Sequence, residues 1–155
     1  MNCIAYKRGY RYQLADDYSL SLEIKPPADL SVDGFLFLST EGRLTIKKGY
    51  AWDGPSGPTV HSRTFMRGSL VHDALYQLMR HGKLDRDRYR EPADRLLQAL
   101  CREDGMSRAR AWWVYTGVRV AGASAARSDR RKKVIRAPKR CGKAATRHAA
   151  SGLPV

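Results

Sequence analysis

Along the first fifty residues, apolar and polar side chains alternate. Tyr10, Tyr12 and Leu14 are separated by polar neighbours, and Tyr18-Ser19-Leu20-Ser21-Leu22-Glu23-Ile24 keeps a strict period of two, the pattern of a half-buried strand. Pro26-Pro27 ends that strand, because proline has no N–H to give a ladder. Phe35 to Leu38 and Leu44 to Ile46 flank Thr40-Glu41-Gly42, a hairpin turn with Gly42 where positive φ is needed. From Gly49 to Thr59, two prolines and three glycines exclude regular structure. The period then lengthens to that of a helix.

Leu70, Val71, Ala74, Leu75, Leu78 and Met79 form one apolar stripe, with Gly82 as its stop. Pro92 suits the first turn of a second helix, striped by Ala93, Leu96, Leu97, Leu100 and Cys101 and closed by Asp104-Gly105. Ser107 can cap a third helix carrying Ala109, Trp112, Trp113, Thr116 and Val120. Beyond Ala121 the pattern lapses and order is expected to fade. The predicted class is α+β: a small N-terminal antiparallel sheet, a glycine/proline-rich loop, about three helices and a poorly ordered basic tail. The expected division is a domain over 1–126 and an extension over 127–155.

Composition changes this picture at one place. The chain carries +14, and between Arg127 and Arg147 ten Lys or Arg face a single acid, Asp129. Arg130, Arg131, Lys132, Lys133, Arg136, Lys139 and Arg140 are the expected anion- or nucleic-acid-binding residues. A solvated tail without a specific partner is the plain alternative. No run of eighteen apolar residues predicts a transmembrane helix, and the first residues lack the apolar core of a secretory signal. Cys3, Cys101 and Cys141 are odd in number and fit neither a disulfide framework nor a zinc motif, which favours a reducing compartment.

The candidate chemistry lies in Val71-His72-Asp73-Ala74-Leu75-Tyr76 and in Ala93-Asp94. On a helical wheel His72 borders the apolar stripe and Tyr76 lies one turn above it. Asp73 points about 100° away, so it cannot orient the imidazole but can serve a cation beside the helix. If the first two helices pack antiparallel, Asp94 reaches one nitrogen of His72 and leaves the other for a water. Backbone carbonyls of the loop around Gly54, together with Asp73, are hard oxygen ligands suited to calcium.

These residues resemble the active-site core of phospholipases A2, most nearly the disulfide-free form carried in parvovirus capsid proteins. The resemblance implies that His72 activates water, that Asp94 orients it and that Tyr76 supports the network. It further implies calcium held by Asp73 and by loop carbonyls from Gly54 to Gly57, with Asp53 and Ser56 as residues of that loop. It spans Asp53 to Leu97 and leaves the sheet aside. The loop departs from the family's usual Tyr-x-Gly-x-Gly form, and its prolines remove backbone donors. A second resemblance is broader. Gly49-Tyr50-Ala51-Trp52-Asp53-Gly54-Pro55-Ser56, Ser69 to Tyr76 and Ala93-Asp94 are similar to a family of small bacteriophage and prophage proteins, domain of unknown function 1353. It implies a phage origin for roughly Tyr10 to Leu100 and no particular activity.

Each residue also has a structural reading. Asp73 can pair with Arg80, Asp94 can answer a helix dipole just after Pro92, and Asp53 can be a turn residue. Trp112 and Trp113 suit a core or an interface. Arg86, Arg88, Arg90 and Arg95 suit a solvated face salt-bridged to Asp85, Asp87 and Glu91. Two functions therefore stand at this point. One is a virion-associated structural or accessory protein, made in the host cytoplasm, whose tail contacts packaged DNA or another virion protein. The alternative is a calcium-dependent phospholipase A2-like esterase drawn to anionic phospholipid.

Overall fold

A computed structural model of the chain describes residues 4–6, 11–54, 63–127 and 135–137. Two compact units emerge, one from Tyr10–Arg131 and one from Met1–Gly9 with Lys132–Val155. In the smaller unit β1 (Ile4–Tyr6) pairs antiparallel with β8 (Ile135–Ala137), Ala5 standing opposite Arg136. That pairing was not expected from the basic composition of the extension.

The larger unit holds the sheet and the helices. β2 (Tyr12–Gln13) pairs with β7 (Ala51–Trp52). β3 (Tyr18–Ser21), β4 (Leu30–Val32), β5 (Leu36–Leu38) and β6 (Arg43–Ile46) form an antiparallel sheet in the order β3-β6-β5-β4. Alternation does what a period of two requires. Val32, Leu36, Leu38, Leu44 and Ile46 are buried, while Phe35 and Phe37 lie on the exposed face. Between β4 and β5 the chain turns through Asp33 and Gly34, both at positive φ, and Phe35 N–H closes the turn on Val32 O at 3.1 Å. Gly42 takes the positive φ expected of it, and Gly82, the expected stop of the first helix, also lies at positive φ.

Three helices follow: α1 (Arg63–Arg80), α2 (Arg86–Glu103) and α3 (Arg108–Ala125). Contacts fix their directions. Arg67 near the start of α1 meets Glu103 and Asp104 at the end of α2, and further along α1 His72 meets Asp94 and Tyr76 meets Arg90. The order runs oppositely on the two helices, so they pack antiparallel. At Gly68 an added Cβ would stand 3.0 Å from both Cys101 and Leu97, which lets the two backbones approach closely. Among the described residues, no helix is long and apolar enough to cross a membrane.

Two expectations fail here. α2 does not begin at Pro92. Asp85 caps it, its carboxylate accepting from Asp87 N–H at 2.8 Å and Arg88 N–H at 3.1 Å, and Pro92 sits on the exposed face inside the helix. A cap that satisfies two orphan donors outweighs a proline signal about two turns later. The apolar stripe of α3 is also different. Ala111 and Val114 are buried, whereas Ala109, Trp112, Trp113 and Val120 are exposed. The helix continues past Ala121 to Ala125.

Candidate active site

The site begins with how the loop approaches α1. β7 is tied to that helix by Trp52 Nε1–H donating to Ser69 Oγ at 3.3 Å, and Ser69 donates in turn to Met66 O at 2.9 Å. Tyr50 OH donates to Gln77 Oε1 at 3.0 Å. Gly54 follows with φ +73, and a Cβ there would lie 2.4 Å from the Tyr12 ring, so only glycine fits this exit from the strand. Ser56 and Gly57, expected in the loop, lie outside the described residues, as do Arg130, Arg131, Lys132, Lys133, Lys139 and Arg140 of the extension.

Asp94 is the centre of the site. It is fully buried on α2, in the helix's third turn, so the dipole at the helix start does not account for it. Its Oδ1 lies 2.8 Å from His72 Nε2 and accepts from Tyr76 OH at 2.7 Å. Its Oδ2 accepts from Arg119 of α3 at 3.1 Å, and Arg90 Nε lies 3.9 Å from the same oxygen. Burial pushes the Asp94 carboxyl up, but hydrogen bonds from His72 and Tyr76, then the His72 charge and Arg119, outweigh it and hold the group below the usual carboxylate range. Burial, and then Asp94 itself, pushes the Tyr76 hydroxyl well up, so it remains a donor.

In its neutral form the imidazole has a defined tautomer. An ionised carboxylate only accepts, so Nε2 carries the proton and Nδ1 presents its lone pair. Among the described residues nothing bonds to Nδ1. The His72 side chain retains 10% of its exposure, and its ring lies 4.1 Å from that of Tyr76.

Asp73 faces another way, as successive helical residues must. It is half-buried beside Asp53, whose backbone N–H bonds to it. Burial above all, with the neighbouring Asp53 charge, pushes its carboxyl up to about 6, against the pull of His72 and Arg80. A folded-state value above the ordinary 3.8 means this group favours folding below about pH 4 and loses that contribution as pH rises through 6. Asp73→Asn is accordingly expected to raise the melting temperature at pH 8 and leave it unchanged or lower at pH 4, as thermal unfolding at the two pH values would show.

Arg119, Arg90 and Gly122 belong to the site and were not anticipated. Arg90 Nε donates to Tyr76 OH at 3.4 Å, and its Nη2 donates to the carbonyls of Val118 and Arg119. Its signal was present as the i,i+4 spacing to Asp94, hidden by the misplaced start of α2. Arg119 gave no local signal. Gly122 lets α3 pass over Tyr76, since an added Cβ would stand 2.6 Å from its hydroxyl. Gly122→Ala is expected to destabilise the fold by about 1–3 kcal/mol and to loosen Tyr76 from Asp94, measurable by denaturant unfolding and as a lowered tyrosine pKa.

Among the described residues no group of three or more His, Cys, Asp or Glu is placed to hold a metal ion. A cation beside α1 would rest on Asp73, Asp53 and backbone oxygens. Asp73 and Asp53 are two neighbouring carboxylates, the hard oxygen donors that a divalent cation takes, although burial more than their mutual repulsion raises the Asp73 carboxyl.

Searches of curated proteins and of solved structures each gave no match. A family model covers residues 32–118, taking in β5, β6, β7, Asp53, Gly54, His72, Asp73, Tyr76, Arg90 and Asp94 and stopping one residue short of Arg119. The chain belongs to the family described as protein of unknown function (DUF1353).

Proposed function

We propose that this chain is a calcium-dependent hydrolase of phospholipid esters, with His72 as general base. The observation that supports it most is the single contact of His72 Nε2 with Asp94 at 2.8 Å, which directs the Nδ1 lone pair away from the carboxylate. A water at Nδ1 gives its proton to the imidazole as its oxygen attacks the ester carbonyl. Asp94 steadies the imidazolium that results, and the same proton then passes to the departing alkoxide. Tyr76 and Arg119 keep Asp94 from rotating by occupying its remaining lone pairs. Calcium held by Asp73, Asp53 and the oxygens around Gly54 would polarise the ester carbonyl and stabilise the oxyanion. Hydrolysis of a soluble short-chain phospholipid at graded calcium concentrations tests the reading. Activity that depends on calcium, with Asp73→Asn needing far more of it, is expected, and cleavage undiminished by a chelator would contradict it.

A second reading has its own support. Arg119 and Arg90 place two cations at Asp94 and join all three helices through one buried carboxylate, which is a sufficient structural purpose for the network. On that reading the protein is a bacteriophage virion component, made in the host cytoplasm, and its extension contacts packaged DNA or another virion protein. The ten Lys or Arg between Arg127 and Arg147 supply the charge. DNA binding that weakens steeply with salt and disappears on truncation after Ala126 would favour it.

A further inference from the structure

We infer that the outward face of α3 is a contact surface for anionic phospholipid. This rests on the phospholipid reading for the choice of partner and deepens it by giving the substrate a membrane source. The helix exposes Trp112 to 59%, Trp113 to 53% and Val120 to 80%, while its opposite face, at Ala111 and Val114, is buried against α2. Large aromatic side chains are costly to leave in water, and tryptophan, apolar with one polar edge, suits the boundary between headgroups and acyl chains.

Charge identifies the occupant. From Arg108 to Ala125 the helix has no carboxylate, and of its three arginines Arg119 is turned inward to Asp94, so it adds nothing to the outward face. Beside it, a shallow groove between α2 and α3 is lined by Arg95, Gln98, Ala99, Arg102, Arg108 and Trp112, again without an acid. Arg95 is paired with Glu91, which leaves Arg102 and Arg108 to dominate the rim. A second copy of this chain, itself at +14, is repelled from such a face. A surface of anionic headgroups over an apolar layer matches both the arginines and the protruding Trp112, Trp113 and Val120. A single-stranded nucleic acid would engage the arginines and stack on tryptophan, but gains nothing from Val120.

Vesicles of the dialkyl-ether forms of phosphatidylglycerol or phosphatidylcholine separate binding from hydrolysis, since their ether-linked alkyl chains offer no carboxylic ester to cleave. Full-length protein is titrated with each while tryptophan emission is followed, and buried Trp52 serves as the internal reference. A blue shift with phosphatidylglycerol and not with phosphatidylcholine is expected. The double variant Trp112→Ala, Trp113→Ala should lose about tenfold or more of its vesicle affinity while hydrolysing the short-chain phospholipid at the parent rate. Three results overturn the inference: no shift with phosphatidylglycerol, undiminished affinity in the double variant, or a shift given by a single-stranded oligonucleotide and not by vesicles. Binding to phosphatidylglycerol without any cleavage of short-chain phospholipid would instead fail the hydrolase reading and leave the surface standing.

Discussion

Asp94→Asn is expected to lower ester hydrolysis by about 10²–10⁴-fold with the fold preserved. Asparagine fills the same space, and because Arg119 can only donate, the carbonyl oxygen stays on the Oδ2 side while the amide group takes the Oδ1 side, which faces both His72 and Tyr76. The side facing His72 becomes an amide donor. It can bond only to an unprotonated Nε2, which moves the imidazole proton to Nδ1 and removes the base from the position where water is held. The loss should fall on kcat rather than on KM, because the tautomer governs proton transfer and not lipid binding. Steady-state kinetics beside a thermal melt check both halves of this expectation. Unchanged kcat in a folded Asp94→Asn protein would remove the dyad from the chemistry.

Asp94→Ala should have the larger effect on stability, about 3–5 kcal/mol, read from denaturant unfolding. The substitution strands Arg119 and the Tyr76 hydroxyl, and it leaves His72 Nε2 without an acceptor, all around a fully buried position. The wild-type protein should show the linked pH dependence. The Asp94 carboxyl titrates below its unfolded value, so its contribution is complete above about pH 4 and is lost as pH falls through the lower folded value. Asp73 acts in the opposite sense, losing its contribution as pH rises through about 6. Stability should therefore be greatest between these two transitions, and Asp73→Asn should remove only the upper limit.

How much of this was legible depended on whether a residue's role is set locally. The strand pattern of Tyr18 to Ile46 and the stripe of Leu70 to Met79 are consequences of burying one face, so period alone located them. His72 and Tyr76 share a helix flank by their spacing, and one further step, antiparallel packing, carried Asp94 to His72. The Asp33-Gly34 turn was equally readable as a two-residue hairpin signal and was passed over. The cap of α2 is Asp85, which by charge alone reads as part of a salt-bridged face, and a start placed at Pro92 conceals Arg90. The face of α3 was misread for a different reason. Two adjacent tryptophans imitate a core stripe, whereas burial of small residues at Ala111 and Gly122 brings this helix close to its neighbours and turns Trp112 and Trp113 outward. Arg119 could not be found before that face was known. The pairing of β1 with β8 joins segments about 130 residues apart, which no local pattern encodes.

The central claim is that His72 is a base. The most direct measurement is the time course of fatty-acid release from mixed phospholipid vesicles by the wild-type protein, by the wild type in excess chelator and by a folded His72→Ala variant. Release by the first alone, with the other two at the vesicle blank, is the predicted result. Equal release by His72→Ala, or none by the wild type across several anionic and neutral lipids, would contradict it and leave the His72–Asp94–Arg119 network as a brace between helices.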